Sequence, residues 1–284
     1  MRHSLFRPLK SMHYLQEDKA QKNMESGFSI FSQNTMKHNR TLISLCSGFL
    51  LLLFAFSNTQ AGDYSALNVI GFSKDGKFLA FEEYGTQDGS GFPYVNVYFI
   101  NVEKNSYASQ PYSLIVKNEN STESAARNKA RLDTEKKLQE LRIIRGNMGK
   151  HVLSRFMTDL TINGDRDDIE TAPDELRFAE EIGSMYQRGD YSLKLTPTEA
   201  KSKECEAYEM PVLKFELTLL NNETQKNTIL QKDDALPKSR GCAIRYRAQD
   251  VFLYEGNVAV FISVFTPGFE GPDMRFMVVT GKLA

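Results

Sequence analysis

The clearest hydrophobic pattern lies between Gly71 and Val102, GFSKDGKFLAFEEYGTQDGSGFPYVNVYFINV. From Lys77 to Tyr84, Phe78, Ala80 and Glu82 alternate with Leu79, Phe81 and Glu83; from Tyr94 to Val102, Val95, Val97 and Phe99 alternate with Asn96, Tyr98 and Ile100. This two-residue period predicts two strands, entered through a Lys74-Asp75-Gly76 turn and joined by the glycine-rich loop from Gly85 to Pro93. Ala66 to Phe72 and Tyr112 to Lys117 predict shorter strands on either side. Beyond Tyr191 the pattern is again β: Tyr191 to Leu195, Val212 to Leu219, Gly241 to Tyr254, Asn257 to Phe265 and Arg275 to Thr280 are strand-like runs, the last two separated by a Pro267 to Pro272 loop.

The pattern changes at Asn118. Ser121 or Thr122 can cap a helix and Glu123 suits its first turn. Arg142 and Arg145 suit its last turn before Gly146. Ala126, Ala130, Thr134, Leu138, Leu141 and Ile144 form a thin apolar stripe at helical spacing, which predicts a charged helix lying along the outside of a sheet. Met148 to Ile162 fits helix or strand, and Pro173 to Gln187 leans to strand. The fold expected is therefore mainly β (α+β): antiparallel sheets, as a sandwich or blade-like hairpins, with one long charged helix at about 121–145. Gly256-Asn-Val-Ala-Val-Phe261 also echoes Gly76-Lys-Phe-Leu-Ala-Phe81, which fits either a duplicated hairpin or two unrelated ones.

The first 61 residues do not belong to that pattern. Met36-Lys37-His38-Asn39-Arg40 is basic, Leu42 to Phe56 is almost wholly apolar, and Ser57 to Ala61 is small and polar, the order of a secretory signal peptide. The apolar run is shorter than the roughly 20 residues of an unaided spanning helix, and a retained inner-membrane anchor over residues 41–57 is the alternative. Residues 1–35 then read as a disordered or mis-started extension, 36–61 as the signal peptide, and 62–284 as a single secreted domain. Leu45 is too bulky for a lipoprotein cleavage site before Cys46. Without residues 1–61 the chain has 28 basic and 33 acidic side chains, an acidic balance that argues against nucleic acid as a partner. Cys205 and Cys242 remain, and in an oxidising compartment they are expected to pair, the alternative being two separate buried thiols.

No catalytic pattern emerges. His151 is the one histidine after residue 61, so the clustered ligands of a zinc site are missing, and no metal or cofactor is expected. Asn163-Gly-Asp165-Arg-Asp167-Asp168 lacks the sixth-position glycine and twelfth-position glutamate of a calcium loop and reads as an acidic turn. No nucleophile elbow and no phosphate-binding glycine motif is present. Glu82 and Glu83 should point to opposite faces of a strand, one of them solvated. What remains is a recognition rim in the loops Gly85 to Tyr94 and Thr266 to Arg275. There Asp88, Ser90, Phe92, Tyr94 and Phe269 are the candidate binding residues for an envelope protein, peptide or glycan, the alternative being that the aromatics are ordinary loop anchors packed on the core.

Phe72-Ser73-Lys74-Asp75-Gly76-Lys77-Phe78-Leu79-Ala80-Phe81 resembles the first strands of a TolB-type β-propeller blade, over one hairpin only. The signal peptide, Tyr84-Gly-Thr-Gln-Asp-Gly-Ser-Gly-Phe-Pro-Tyr94, Leu236-Pro-Lys-Ser-Arg-Gly-Cys242 and Gly268-Phe-Glu-Gly-Pro-Asp273 together resemble a family of predicted secreted proteins of Gram-negative, mainly alphaproteobacterial, origin, known as a domain of unknown function. That resemblance implies export and a single mature domain; it supplies neither an activity nor a catalytic residue. The expected function is an exported periplasmic binding or envelope-associated module without enzyme activity. The alternative is a hydrolase of envelope polymers using carboxylates such as Glu82 or Asp88.

Overall fold

The structure is a computed structural model that describes residues 62–118, 120–156, 173–182, 187–208, 210–269 and 271–283. The signal peptide expected at 36–61 and the acidic turn expected at 163–168 lie outside the described residues. Strands β1 (Ala66–Phe72), β2 (Phe78–Thr86) and β3 (Pro93–Asn101) form the body of one antiparallel sheet. The short β4 (Ser106–Tyr107) and β5 (Tyr112–Ile115) share the outer edge of β3. After the helix α1 (Glu123–Glu140) and β6 (Lys150–Ser154), strands β7 (Asp174–Ile182), β8 (Gln187–Ala200), β9 (Val212–Asn221) and β10 (Lys226–Lys232) form a second sheet in the order β10-β9-β8-β7. The third sheet joins β6 to β11 (Arg245–Tyr254), β12 (Asn257–Thr266) and β13 (Asp273–Lys282) in the order β13-β12-β11-β6.

The third sheet is the middle layer. One face packs Val251, Leu253, Val260 and Ile262 against Leu193, Leu195, Phe215 and Leu217 of the second sheet. Its other face packs Phe252, Phe261, Phe276 and Val278 against Phe72, Leu79 and Phe81 of the first. A strand covered on both sides has no solvent face, which is why Asn257 to Phe265 is apolar except for Asn257 and Ser263 and every one of these residues is buried. The remaining face of the first sheet carries α1, with Ala126, Ala130 and Leu138 against Ile70, Ala80, Val95 and Phe99. The fold is thus mainly β and antiparallel, as the alternation predicted, with the helix on the outside.

Thr122 caps α1 by accepting the Ala125 N–H, but the helix stops at Glu140 instead of reaching 145. Arg142 turns to φ 53°, and the chain then runs beside β1: Ile144 N–H donates to Phe72 O, and Phe72 N–H to Asn147 O. Pairing with an open sheet edge outweighs the additional helix from 141 to 145, so Arg142 and Arg145 leave the last turn. Gly71 makes this approach possible: its φ is 149°, and a Cβ there would sit 2.1 Å from Ile144 O.

Two other departures from the pattern have simple causes. β10 is half solvated and mostly polar, so it carries no alternation strong enough to read. β8 continues through Pro197, because β7 ends opposite Leu195 and the missing N–H falls where no second partner strand exists. In the ambiguous 173–187 segment Asp174–Ile182 is strand β7, with 183–186 outside the described residues, and β6 takes the start of 148–162, whose end also lies outside them. The two echoing hairpins face each other across the first and middle sheets. Phe81 meets Phe261 edge-on at 5.2 Å, and at the turn end the Tyr254 hydroxyl donates to Lys74 O at 3.3 Å.

Candidate functional site

At the opposite end of these hairpins the bases of loops 85–94 and 266–275 meet. Tyr94 is buried there, donating its hydroxyl proton to Asp63 Oδ1 at 2.9 Å and sharing a 2.7 Å hydrogen bond with Ser65. Arg275 lies over the Tyr94 ring at 4.7 Å and binds Asp63 through its Nη1 to the carbonyl and its Nη2 to Oδ2. Burial raises the Tyr94 phenol, so it stays protonated and acts as an anchor. Asp88 and Ser90 close their own turn, accepting the N–H groups of Gly89 and Phe92. Phe92 is half-buried and Phe269 is 97% exposed.

None of those five residues lines a cleft of about 500 Å³ that runs along the outer edge of β13. The first sheet forms one wall through the face that alternation turns toward the middle sheet: Phe81 and Glu83 on β2, Asn96 and Tyr98 on β3. The end of β10, with Gln231, and the stretch after it, with Ser239 and Arg240, form the other wall.

Glu83 sits on the floor, 1% exposed. Its Oε1 accepts from Asn96 Nδ2 at 3.0 Å and Tyr98 OH at 2.7 Å, and its Oε2 accepts from the Phe276 N–H at 2.7 Å. Burial and then this carboxylate raise the Tyr98 phenol, and the same two causes raise Tyr107, which stacks on Tyr98 at 6.0 Å. Glu82 does point to the opposite face, as the strand geometry required. The expectation that one of the pair is solvated is corrected, because Glu82 is also buried, under Arg127 of α1 (2.6 Å) and beside Asn68.

The far wall is held by a chain of polar contacts. Thr280 N–H donates to Asn105 Oδ1, Asn105 Nδ2 to Gln231 Oε1, and Gln231 Nε2 to Asp233 Oδ1, each at 2.8–2.9 Å. Arg240 grips both oxygens of Asp233 and lies 4.4 Å over the Phe215 ring. Burial acts to lower the Arg240 pKa, but Asp233 and Tyr246 outweigh it and the net shift is upward. The Cys205–Cys242 disulfide is present, Cα atoms 5.5 Å apart, and ties this wall to the stretch after β8.

Among the described residues lining the cleft, Glu83 is the one acid, and there is no histidine or cysteine. A two-carboxylate hydrolysis needs a second acid, and an activated serine needs a base. The described residues hold no metal-binding cluster, and His151 stacks on Phe252 at the surface with its Nε2 2.8 Å from Asp250. Sequence reasoning missed Tyr107, Asn105, Gln231 and Arg240, which lie in turns or on a polar edge strand. The available signal was Glu83, a charge at an inward-facing strand position.

A disulfide-stapled stack of antiparallel sheets with a polar cleft on one edge strand defines a mainly β protein. Residues 80–282 match the family described as "Predicted secreted protein (DUF2259)", and the chain belongs to that family. No curated protein and no solved structure matches it. Among the described residues, no helix is long and apolar enough to cross a membrane.

Proposed function

We propose that the chain is an exported periplasmic binding module whose mature part runs from Gly62 to Ala284 and takes a small polar ligand in the β13 cleft. The observation that carries this reading is the state of Glu83: both carboxylate oxygens are engaged by donors of the fold, and among the described residues no second acid joins it in the cleft. Such a carboxylate positions Tyr98 and Asn96 as a rigid wall, the preorganisation that recognition requires. The hydrolase alternative has less support. Glu82 lies beneath Arg127 on the other face of its sheet, and Asp88 caps an exposed turn.

The test is native mass spectrometry of the protein isolated from its own envelope fraction. Wild type and Asp88→Ala are expected to carry a non-covalent ligand that Ser239→Trp, which fills the cleft mouth from an exposed position, loses. Equal retention by all three, or turnover of envelope polymers that Asp88→Ala abolishes, overturns the reading.

A further inference from the structure

The backbone of β13 specifies what the cleft takes. In an antiparallel strand, alternate residues turn their N–H and C=O groups toward the partner and away from it. Away from β12 point Met274, Phe276, Val278 and Thr280, and three of these have their outward N–H engaged by the fold. Met274 donates to Asp63 O at 3.0 Å and accepts from the Ser65 N–H at 3.0 Å. Phe276 donates to Glu83 Oε2, and Thr280 to Asn105 Oδ1 at 2.9 Å. Val278 lies between the last two, lines the cleft and is 9% exposed. Among the described residues, neither its N–H nor its C=O has a partner on that side.

A buried donor and acceptor on one edge residue complement the C=O and N–H of one residue of a second extended chain. Glu83 and Asn105 close the edge two residues to either side, so the added chain cannot run on as a ladder. The cleft's amide side chains and Arg240, the planar groups that best read sugar hydroxyls, are already occupied: Asn96, Asn105, Gln231 and Arg240 are engaged with Glu83, Thr280, Asp233 and each other, which leaves Ser106, Ser239 and Thr266 as its aliphatic hydroxyls. Tyr107, half exposed and stacked on Tyr98, is left as an apolar wall for a ligand side chain. Building on the binding reading, we infer that the cleft takes a short extended peptide, one residue of which pairs antiparallel with Val278.

The experiment uses the protein as isolated and a mixed-sequence library of N-acetylated, C-amidated tripeptides, with chitotriose as the glycan probe. Tripeptides retained by wild type are expected to be lost by Ser239→Trp. Val278→Ala, which keeps the N–H, should bind them nearly as wild type does. Val278→Pro removes the N–H at an edge position and should weaken binding at least about tenfold. Because that variant can misfold, the retained tripeptides are also made N-methylated at each amide in turn. One methyl position should abolish binding to wild type, and the Val278 amide should gain hydrogen-exchange protection with the unmethylated peptide. Tripeptide binding indifferent both to Val278→Pro and to every methyl position overturns the inference. Chitotriose held in the cleft with no tripeptide retained overturns the peptide class and leaves the binding reading standing. Failure of both probes to bind overturns the inference as well.

Discussion

Arg240 and Asp233 offer a test of how the cleft wall is held. Their side chains are 8% and 1% exposed, and the guanidinium engages both carboxylate oxygens. Arg240→Ala strands a buried carboxylate, which ordinarily costs about 3–5 kcal/mol. Asp233 keeps the Phe215 N–H at 3.1 Å and the Gln231 amide at 2.8 Å, so the loss should fall near the lower end, about 3 kcal/mol. For a fold of this size that corresponds to a fall in Tm of about 6–12 °C. Asp233→Ala should cost a similar amount, because it leaves a buried cation with only the Phe215 and Tyr246 rings. The double variant removes both stranded charges, so its loss should fall short of the summed single losses by about 2 kcal/mol or more. Urea unfolding under oxidising conditions measures all four corners of the cycle. Strictly additive losses, or an Arg240→Ala loss under about 1 kcal/mol, would refute the reasoning.

Opening the Cys205–Cys242 bridge, which spans 37 residues of sequence, should cost about 4 kcal/mol on chain-entropy grounds, read as a lower urea midpoint after reduction. Gly71→Ala adds strain at φ 149° and a clash with Ile144 O, so we expect a loss of at least about 2 kcal/mol. Thermal unfolding checks it, and an unchanged Tm would contradict the close approach. Burial raises the phenols of Tyr94, Tyr98 and Tyr246 above the unfolded value of about 10. Unfolded tyrosines therefore release protons that the folded ones keep, so stability is full below that value and falls as pH rises past it. Absorbance at 295 nm should show these three ionising only with unfolding, while Tyr112, pushed up to about 12 by burial and by Asp133, titrates in the folded state.

Much of the fold was legible because its strands bury one face. The alternation in β2, β3 and β9 reports directly which residues face the core, and the unbroken run of β12 reports a strand covered on both sides. Thr122 and the 126-130-134-138 stripe located the helix, but its end was decided by a contact with β1, 70 residues earlier in the chain. The candidate site was much less legible. Glycine-rich loops with aromatics pointed to the hairpin end, where Tyr94 and Arg275 are indeed brought together, yet as an anchor beneath the loops.

By itself the sequence determined a mainly β chain, the long charged helix and a cysteine pair, because each follows from local periodicity, capping or composition. Only the tertiary structure decided the three-layer stacking, the burial of both Glu82 and Glu83, and the meeting of Asn105, Gln231 and Arg240 beside β13. Those arrangements depend on which sheet edges remain unpaired and on contacts between residues more than a hundred positions apart, and a local hydrophobic pattern carries no record of either.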